Sequence, residues 1–423
     1  MKPHTLCRGM SGSNGTSHLP SCSAVEVHEL QKLLSSGSRL STYTSECLPL
    51  KEDFSLAPLL DKVGAKRLVK EWEPSLHHAK LYAVVYQSDH ITPGLLAKLP
   101  PEFIFKASQG STMTIVVKEQ GYAASCHGFC SSNGQMSRQP KRWRAPQLDQ
   151  AAGSGIQARH ESLAQFLRTH CAIWLGIDYG ARFSLRGYSN IRRACFFEEK
   201  FDIGDGSVPS DLRVFTTHFR PKLILFTSKC INDRAEGGGS AAEATYYFTP
   251  AGTFLPGSAD HRCSARPIDR KPEILQQCAL IRVGKSPRLP LTNATLSRAM
   301  AMASRLASHS GRTQIRIDFF ILSPTDVAFA EFSPTTSGCY WIMQPITLHV
   351  LMGFAYSRTD DPLSDACMAG VVRRAACKSN VSQARCLVRD LSRTAQYQKV
   401  QLGQEWGMSK EWAGVEARQP CLL

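Results

Sequence analysis

The chain has 423 residues, with 50 Lys and Arg against 35 Asp and Glu, 43 % hydrophobic and 9 % aromatic residues. That length accommodates two or three domains around a sizeable core, and no apolar stretch approaches the roughly 20 residues needed to span a bilayer. The net charge of +15 favours anionic partners, among them nucleotides, polyanionic glycans, nucleic acid and acidic membranes, without choosing between them.

Residues 1–50 are rich in Ser, Thr and Gly and read as a flexible tail. Asp61–Trp72, DKVGAKRLVKEW, has helical spacing behind an acidic start, although Gly64 weakens it. KLYAVVYQ then reads as a strand, and PPEFIFKASQGSTMTIVVKEQ as strand, Gly-containing loop and strand, with Lys106 ending the first. Residues 121–159 have no clear period and read as an inserted loop; their cluster PKRWRAP is read as solvated basic loop ahead of a nucleic-acid contact. HESLAQFLRTH returns to helical spacing, and the apolar strand ACFF ends at Glu198, Glu199, Lys200 and Phe201. DLRVFTTHF and PKLILFTSK form a hairpin joined around Arg220 and Pro221. GGGS at 237–240 is a flexible excursion, and ATYYFTPAGTFLP returns to strand.

The clearest helix starts at an N-cap Asn293, carries Leu296, Met300, Ala303, Leu306 and Ala307 on one face with Arg298 and Arg305 on the other, and stops at Gly311. The segments 314–322 and 327–333 follow as a β-hairpin, and 356–423 form a basic, cysteine-containing extension. The sum is α+β, mainly antiparallel, with no internal repeat. A folded domain would span residues 51–355.

Fifteen cysteines, an odd number without paired spacing, and no apolar leader at the N-terminus point to free thiols in a reducing, cytoplasmic setting. Cys126 and Cys130, with His127 between them, lack a second ligand pair for zinc and read as loop.

The hairpin carries the sharpest chemistry. If Leu322 pairs with Val327 across a four-residue loop, Asp318 falls opposite Glu331. Ile315, Ile317, Phe319 and Ile321 then share an apolar face, and a one-residue slip would turn charge into the core. Like charges placed opposite one another repel, and a divalent cation removes that penalty. Mg²⁺ takes such oxygens together with waters and substrate phosphates.

KASQGST places Lys106 ahead of a Gly/Ser loop that could close over phosphates, or form a plain hairpin turn. The familiar P-loop is absent, since the GKS at 284–286 has Ala279 where the first glycine is required. The acidic strand end at 198–201 could offer backbone, carboxylate and aromatic groups to a purine nucleoside, or be a charged terminus. Arg213 and Arg316 could be salt-bridge partners or hold a transferring phosphate.

In that order, these pieces resemble the ATP-grasp nucleotide-binding fold, and more closely the TupA-like ATP-grasp family of polysaccharide biosynthesis proteins. The resemblance spans about residues 55–350 and rests on DKVGAKRLVKEW, LPPEFIFKASQGS, FFEEKF, DLRVF, RPKLILF, RIDFFIL and AEFSPTTSG. It implies two α+β subdomains enclosing a nucleotide, residues 85–197 bearing a lid and residues 198–355 a metal site. Lys62 and Lys106 would contact ATP phosphates, and Gly110 and Ser111 would form a flexible lid. Glu198, Glu199, Lys200 and Phe201 would line the adenine and ribose site. Arg213 and Arg316 would steady the transferred group, and Asp318, Glu331 and Ser333 would hold Mg²⁺. The implied activity is carboxylate–amine ligation through an acyl-phosphate, with a sugar acid or polysaccharide as the anionic acceptor.

Two positions depart from the family pattern. Thr112 replaces a frequent second glycine of the lid, and Ser333 an Asn that serves as third metal ligand. They support an alternative, a catalytically weakened nucleotide- or polyanion-binding protein. General nucleic-acid binding ranks last.

Overall fold

The computed structural model describes residues 50–118, 123–131, 137–144, 155–202, 209–230, 242–252 and 291–334. The N-terminal tail, the GGGS excursion and the C-terminal extension lie outside them. Twelve strands among these residues form two six-stranded sheets, ordered β2-β7-β3-β4-β5-β6 and β1-β12-β11-β8-β9-β10. The first comprises β2 (Leu81–Val85), β3 (Phe103–Ala107), β4 (Met113–Lys118), β5 (Ala123–Gly128), β6 (Ser137–Arg144) and β7 (Cys195–Glu199). The second comprises β1 (His77–His78), β8 (Asp211–Thr217), β9 (Arg220–Cys230), β10 (Ala242–Phe248), β11 (Gln314–Ser323) and β12 (Asp326–Ser333). Every pairing is antiparallel except β1 with β12. The architecture is the α+β class expected, with mainly antiparallel sheets.

The helices cover the apolar faces. A short α1 (Ala57–Leu60) leads into α2 (Lys62–Trp72), whose N-cap Asp61 accepts from the Val63 N–H at 3.1 Å. Its buried stripe includes Val63, Ala65 and Val69, and Ala65 and Val69 join the core of the second sheet. After the single turn α3 (Pro93–Leu96) comes α4 (Gly155–Gly176). It buries Leu163, Ala164, Leu167, Cys171 and Trp174 against Phe105, Ile115, Val117 and Phe197 of the first sheet. Trp174 satisfies its indole by donating to Phe129 O at 2.7 Å while stacking on Phe105. The short α5 (Tyr179–Phe183) follows.

The last helix, α6 (Asn293–Ser310), packs Leu296, Ala299, Met302, Ala303, Leu306 and Ala307 on the second sheet. Its N-cap is Thr292, one residue before the expected Asn293: the Thr292 hydroxyl accepts from the Thr295 N–H at 3.1 Å. Met300, expected in the apolar stripe, is half-buried at its flank, and Gly311 closes the helix with φ +65° as expected. Among the described residues no helix is long and apolar enough to cross a membrane.

Several expectations need correction. The stretch 121–159 is not loop throughout: β5 and β6 lie in it, and α4 begins at Gly155. Among the described residues β6 forms the sheet's edge, where the exposed Arg142 and Arg144 of PKRWRAP suit an edge strand rather than an apolar alternation. The β8–β9 hairpin turns at His218 and Phe219, both with positive φ (46° and 64°), because Thr217 pairs with Arg220. Two left-handed residues match strand twist in a two-residue hairpin, and Pro221 sits beyond the turn, opposite Thr216. Cys126 pairs with Cys130 (Cα–Cα 5.8 Å) and Cys171 with Cys195 (Cα–Cα 6.1 Å) as disulfides, so these four are not the thiols expected.

Candidate functional site: a charged cleft between the sheets

One cross-strand row forms the floor of the cleft. Arg213 on β8 stands opposite Asp318 on β11, and Asp318 stands opposite Glu331 on β12. Alternation along β11 sends Ile315, Ile317, Phe319 and Ile321 into the core and leaves Arg316, Asp318 and Phe320 on the other face, where Asp318 and Phe320 line the cleft and Arg316 bonds Asp318. Arg316 grips Asp318 with two bonds of 2.7 Å, from Nε and Nη2. Its Nη2 also donates to Ser333 Oγ at 2.8 Å and lies 3.9 Å from Glu331 Oε1. Arg213 Nε is 3.9 Å from Asp318 Oδ2, and its Nη2 is 3.3 Å from Asp211 Oδ2.

Burial drives Asp318 above the usual aspartate range against the pull of Arg316 and Arg213. Burial works the same way on Glu331, but Lys62 and Arg316 outweigh it and hold that carboxylate low. The directly opposed carboxylates thus differ in proton affinity.

The first sheet and α2 supply the other walls. On β7, Phe196 and Glu198 share the cleft face, as does Lys106 on β3. Glu198 is 2 % exposed and takes two lysines: Lys106 Nζ at 2.6 Å on Oε1 and Lys66 Nζ at 3.1 Å on Oε2. Burial alone would raise Glu198, but the two ammonium groups overcome it and hold its pKa down. Burial likewise opposes the charge on Lys106, yet Glu198 carries its pKa above the ordinary lysine value. Lys62 differs, because its burial outweighs Glu331, 3.7 Å away, and its pKa falls.

The loop after β3 is closed upon this lysine. Lys62 Nζ donates to Gly110 O, and the Lys62 N–H donates to Ser108 O at 3.0 Å. Gln109 bonds Trp174 O through its amide at 3.0 Å, and Ser108 N–H bonds Ala194 O at 2.8 Å. Gly110 takes φ +76°, and a Cβ there would lie 2.4 Å from the Tyr179 ring. The Ser111 N–H donates to the Tyr179 phenol, which burial pushes up to about 12. Tyr188, partly buried beside Tyr179, is also pushed up by burial. Thr112 adopts φ +58°, a conformation that favours glycine, and its carbonyl accepts from the Phe129 N–H at 3.0 Å. The expected flexible lid is here tied down at Ser108, Gln109 and Gly110.

The structure thus brings together Lys62, Lys106, Glu198, Arg213, Arg316, Asp318, Glu331 and Ser333, with Gly110 and Ser111 above them. It does not bring in all of the acidic strand end. Glu199 points to the opposite side of β7 and accepts from the Lys80 N–H at 3.2 Å, and Lys200 pairs with Glu102 at 2.6 Å. Phe201 reaches the site indirectly, edge-on to Phe320 at 5.9 Å. Lys66, Phe196, Asp211 and Phe320 line the cleft without having been foreseen. Each sits one helical turn or two strand residues from a residue that was, so periodicity alone held the signal.

No group of three or more His, Cys, Asp or Glu side chains suited to a metal occurs among the described residues. The oxygens present are two carboxylates and one hydroxyl. They converge on one cationic nitrogen, Arg316 Nη2. Hard oxygen donors in that arrangement fit Mg²⁺ completed by water and phosphate, provided that Arg316 moves aside.

No family model matches the chain, and no curated protein matches it. Among solved structures, D-alanyl-alanine synthetase A from Vibrio cholerae overlaps 76 % of this chain and 66 % of its own, at TM-score 0.34 and 9 % identity. The ATP-grasp ligase PsnB with its minimal precursor, Mg and ADP overlaps 71 % of this chain and 59 % of its own, at TM-score 0.29 and 10 % identity. The chain therefore spans less than two thirds of either neighbour's length. Overlaps of this extent carry no chemistry, which has to come from the cleft's own residues.

Proposed function

We propose that the cleft binds ATP with Mg²⁺ and that the chain is an ATP-dependent carboxylate–amine ligase of ATP-grasp type. One observation carries this reading: two sheets and a helix present Lys62, Lys66, Lys106 and Arg213 to a single cleft of about 160 Å³ floored by the opposed pair Asp318 and Glu331, with Arg316 bonded to Asp318 beside it. Phosphoryl transfer needs that combination, because its catalysis is chiefly positioning and charge neutralisation.

Lys62 and Lys106 would bind phosphate oxygens, Lys62 once the Gly110 carbonyl lifts from it. Phe196 and Phe320 give an apolar wall for the base. Arg213 and Arg316 would hold the γ-phosphoryl group as a carboxylate oxygen of the acceptor bonds to phosphorus and ADP leaves. An amine then attacks the acyl carbon and gives up a proton as phosphate departs with the bonding pair. Mg²⁺ held by Asp318, Glu331 and Ser333 would supply Lewis-acid charge neutralisation. The first sheet would serve as the lid-bearing unit and the second as the metal-bearing one. Resemblance to the TupA-like family supports a sugar acid or polysaccharide as acceptor, and the net charge of +15 suits such an anion.

A second reading, nucleotide binding without turnover, draws on the tied loop and on the neutral hydroxyl of Ser333. Thermal unfolding with ATP and Mg²⁺ tests the nucleotide assignment. Protection is expected in wild type and its loss in Asp318→Ala and Glu331→Ala. Absence of any ATP effect in wild type would sink the assignment. ADP release over a panel of carboxylates and amines separates the ligase from the silent binder.

A further inference from the structure

Arg316 stands where a metal ion would. Its Nε and Nη2 take both oxygens of Asp318 at 2.7 Å, and Nη2 takes the Ser333 hydroxyl at 2.8 Å. Both Nη2 protons are spent in this way, and Glu331 Oε1 lies at ion-pair distance, 3.9 Å. A guanidinium therefore lies between the oxygens that a divalent cation would use. Two parallel charge-assisted bonds make the Arg–carboxylate grip among the strongest of side-chain contacts.

Displacing Arg316 also requires somewhere for its charge to go. The cleft already holds Lys62, Lys66, Lys106 and Arg213. Of its carboxylates, Glu198 is shared by Lys66 and Lys106, and Asp211 lies beside Arg213. A released guanidinium would enter positive surroundings. A phosphate changes this balance, because its oxygens match the guanidinium fork as well as a carboxylate does.

We infer that Arg316 is an internal counter-ion that keeps metal out until a phosphate takes its guanidinium, so that metal and nucleotide bind only together. The inference rests on the Mg²⁺–ATP reading of the cleft. The exchange is reversible: when the phosphates leave, Arg316 returns to Asp318 and the metal loses its ligands. Metal release is thereby tied to product release.

Equilibrium dialysis with Mn²⁺ tests this, using Mn²⁺ alone and Mn²⁺ with a non-hydrolysable ATP analogue. Wild type is expected to retain Mn²⁺ only with the analogue. Arg316→Gln removes the fork and is expected to bind Mn²⁺ alone at least about tenfold more tightly than wild type, the worth of one charge-assisted hydrogen bond. Asp318→Asn added to Arg316→Gln should abolish that binding. Arg316→Lys, which keeps the charge without the fork, covers the case in which the Gln variant does not fold, and should also bind Mn²⁺ alone. Wild type that binds Mn²⁺ alone as well as with the analogue overturns the inference, as do folded Arg316 variants with no gain. Wild type that retains neither Mn²⁺ nor the analogue when both are present overturns the nucleotide reading itself, a result distinguishable from the other two.

Discussion

Asp318 lies directly across from Glu331 because two irregularities in the β11–β12 pairing cancel. Near the turn, Ile321 pairs with Val327 and Ser323 with Asp326, so Leu322 is passed over on β11. Further along, Phe319 pairs with Phe329 and Asp318 with Glu331, so Ala330 is passed over on β12. With the first shift alone, Ala330 would have stood opposite Asp318. The turn is thus a two-residue one at Pro324 and Thr325, and the second bulge restores the register that a four-residue loop would have produced. Both Ala330 and Glu331 line the cleft as a result. Bulges re-aim side chains next to functional sites.

Gly110 should tolerate no side chain. A Cβ would enter the Tyr179 ring at 2.4 Å from a backbone at φ +76°, so Gly110→Ala should lose about 2–4 kcal/mol in urea denaturation. Tyr179→Ala removes the collision but leaves the backbone strain. The double variant should therefore lose less than the sum of the single losses, and strict additivity would contradict the contact.

Thr112 is β-branched in the left-handed region, at φ +58°. Thr112→Gly should raise stability by about 1 kcal/mol, less whatever is lost with the 2.6 Å bond from the Thr112 hydroxyl to Ser111 O. Gly128→Ala should act oppositely, since a Cβ there would come to 1.9 Å from Thr112 O. That carbonyl belongs to the backbone, so Thr112→Gly should not rescue Gly128→Ala in thermal unfolding.

Alkylation of the unfolded, unreduced protein should leave Cys126, Cys130, Cys171 and Cys195 unlabelled, and prior reduction should expose all four. Both pairs are buried, which protects them from thiol exchange in the folded state. Labelling without reduction would return these cysteines to the thiols that spacing alone suggested.

Much of this cleft was legible where periodicity speaks. The alternation of Ile315 to Ile321 set the faces of β11, and the order Lys106, Glu198, Arg213, Asp318, Glu331 placed the charges that share the cleft. The same rule was not carried to its neighbours: Phe196, Phe320 and Asp211 lie two residues from Glu198, Asp318 and Arg213, and Lys66 lies one helical turn from Lys62. It also separates Glu198 from Glu199, because consecutive strand residues face opposite ways. Other features were beyond local patterns. β5 and β6 carry Ala, Ser, Gly and charge in place of an apolar alternation, and it is pairing that defines them, β5 with β4 and β6 with β5. Tyr179 reaches the Gly110 loop from a segment about 70 residues away, with Tyr188 packed behind it, a contact that no spacing rule encodes.

Glu198 gives the clearest pH dependence. Lys106 and Lys66 hold its folded pKa below the ordinary glutamate value of 4.5. A carboxylate whose pKa is lowered by folding contributes stability that is fully present above the unfolded value and is lost as pH falls through the folded one. Wild-type stability should therefore decline below about pH 4.5, and Glu198→Gln should remove that part of the decline. At neutral pH, Glu198→Gln leaves two ammonium groups in the cleft without their shared anion, and should cost about 3–5 kcal/mol. Lys66→Met should cost less, because Lys106 at 2.6 Å still neutralises Glu198. Urea denaturation at pH 7 and pH 4 on the three proteins checks both statements. Equal losses for Lys66→Met and Glu198→Gln at pH 7 would mean that Lys106 does not carry the pairing alone.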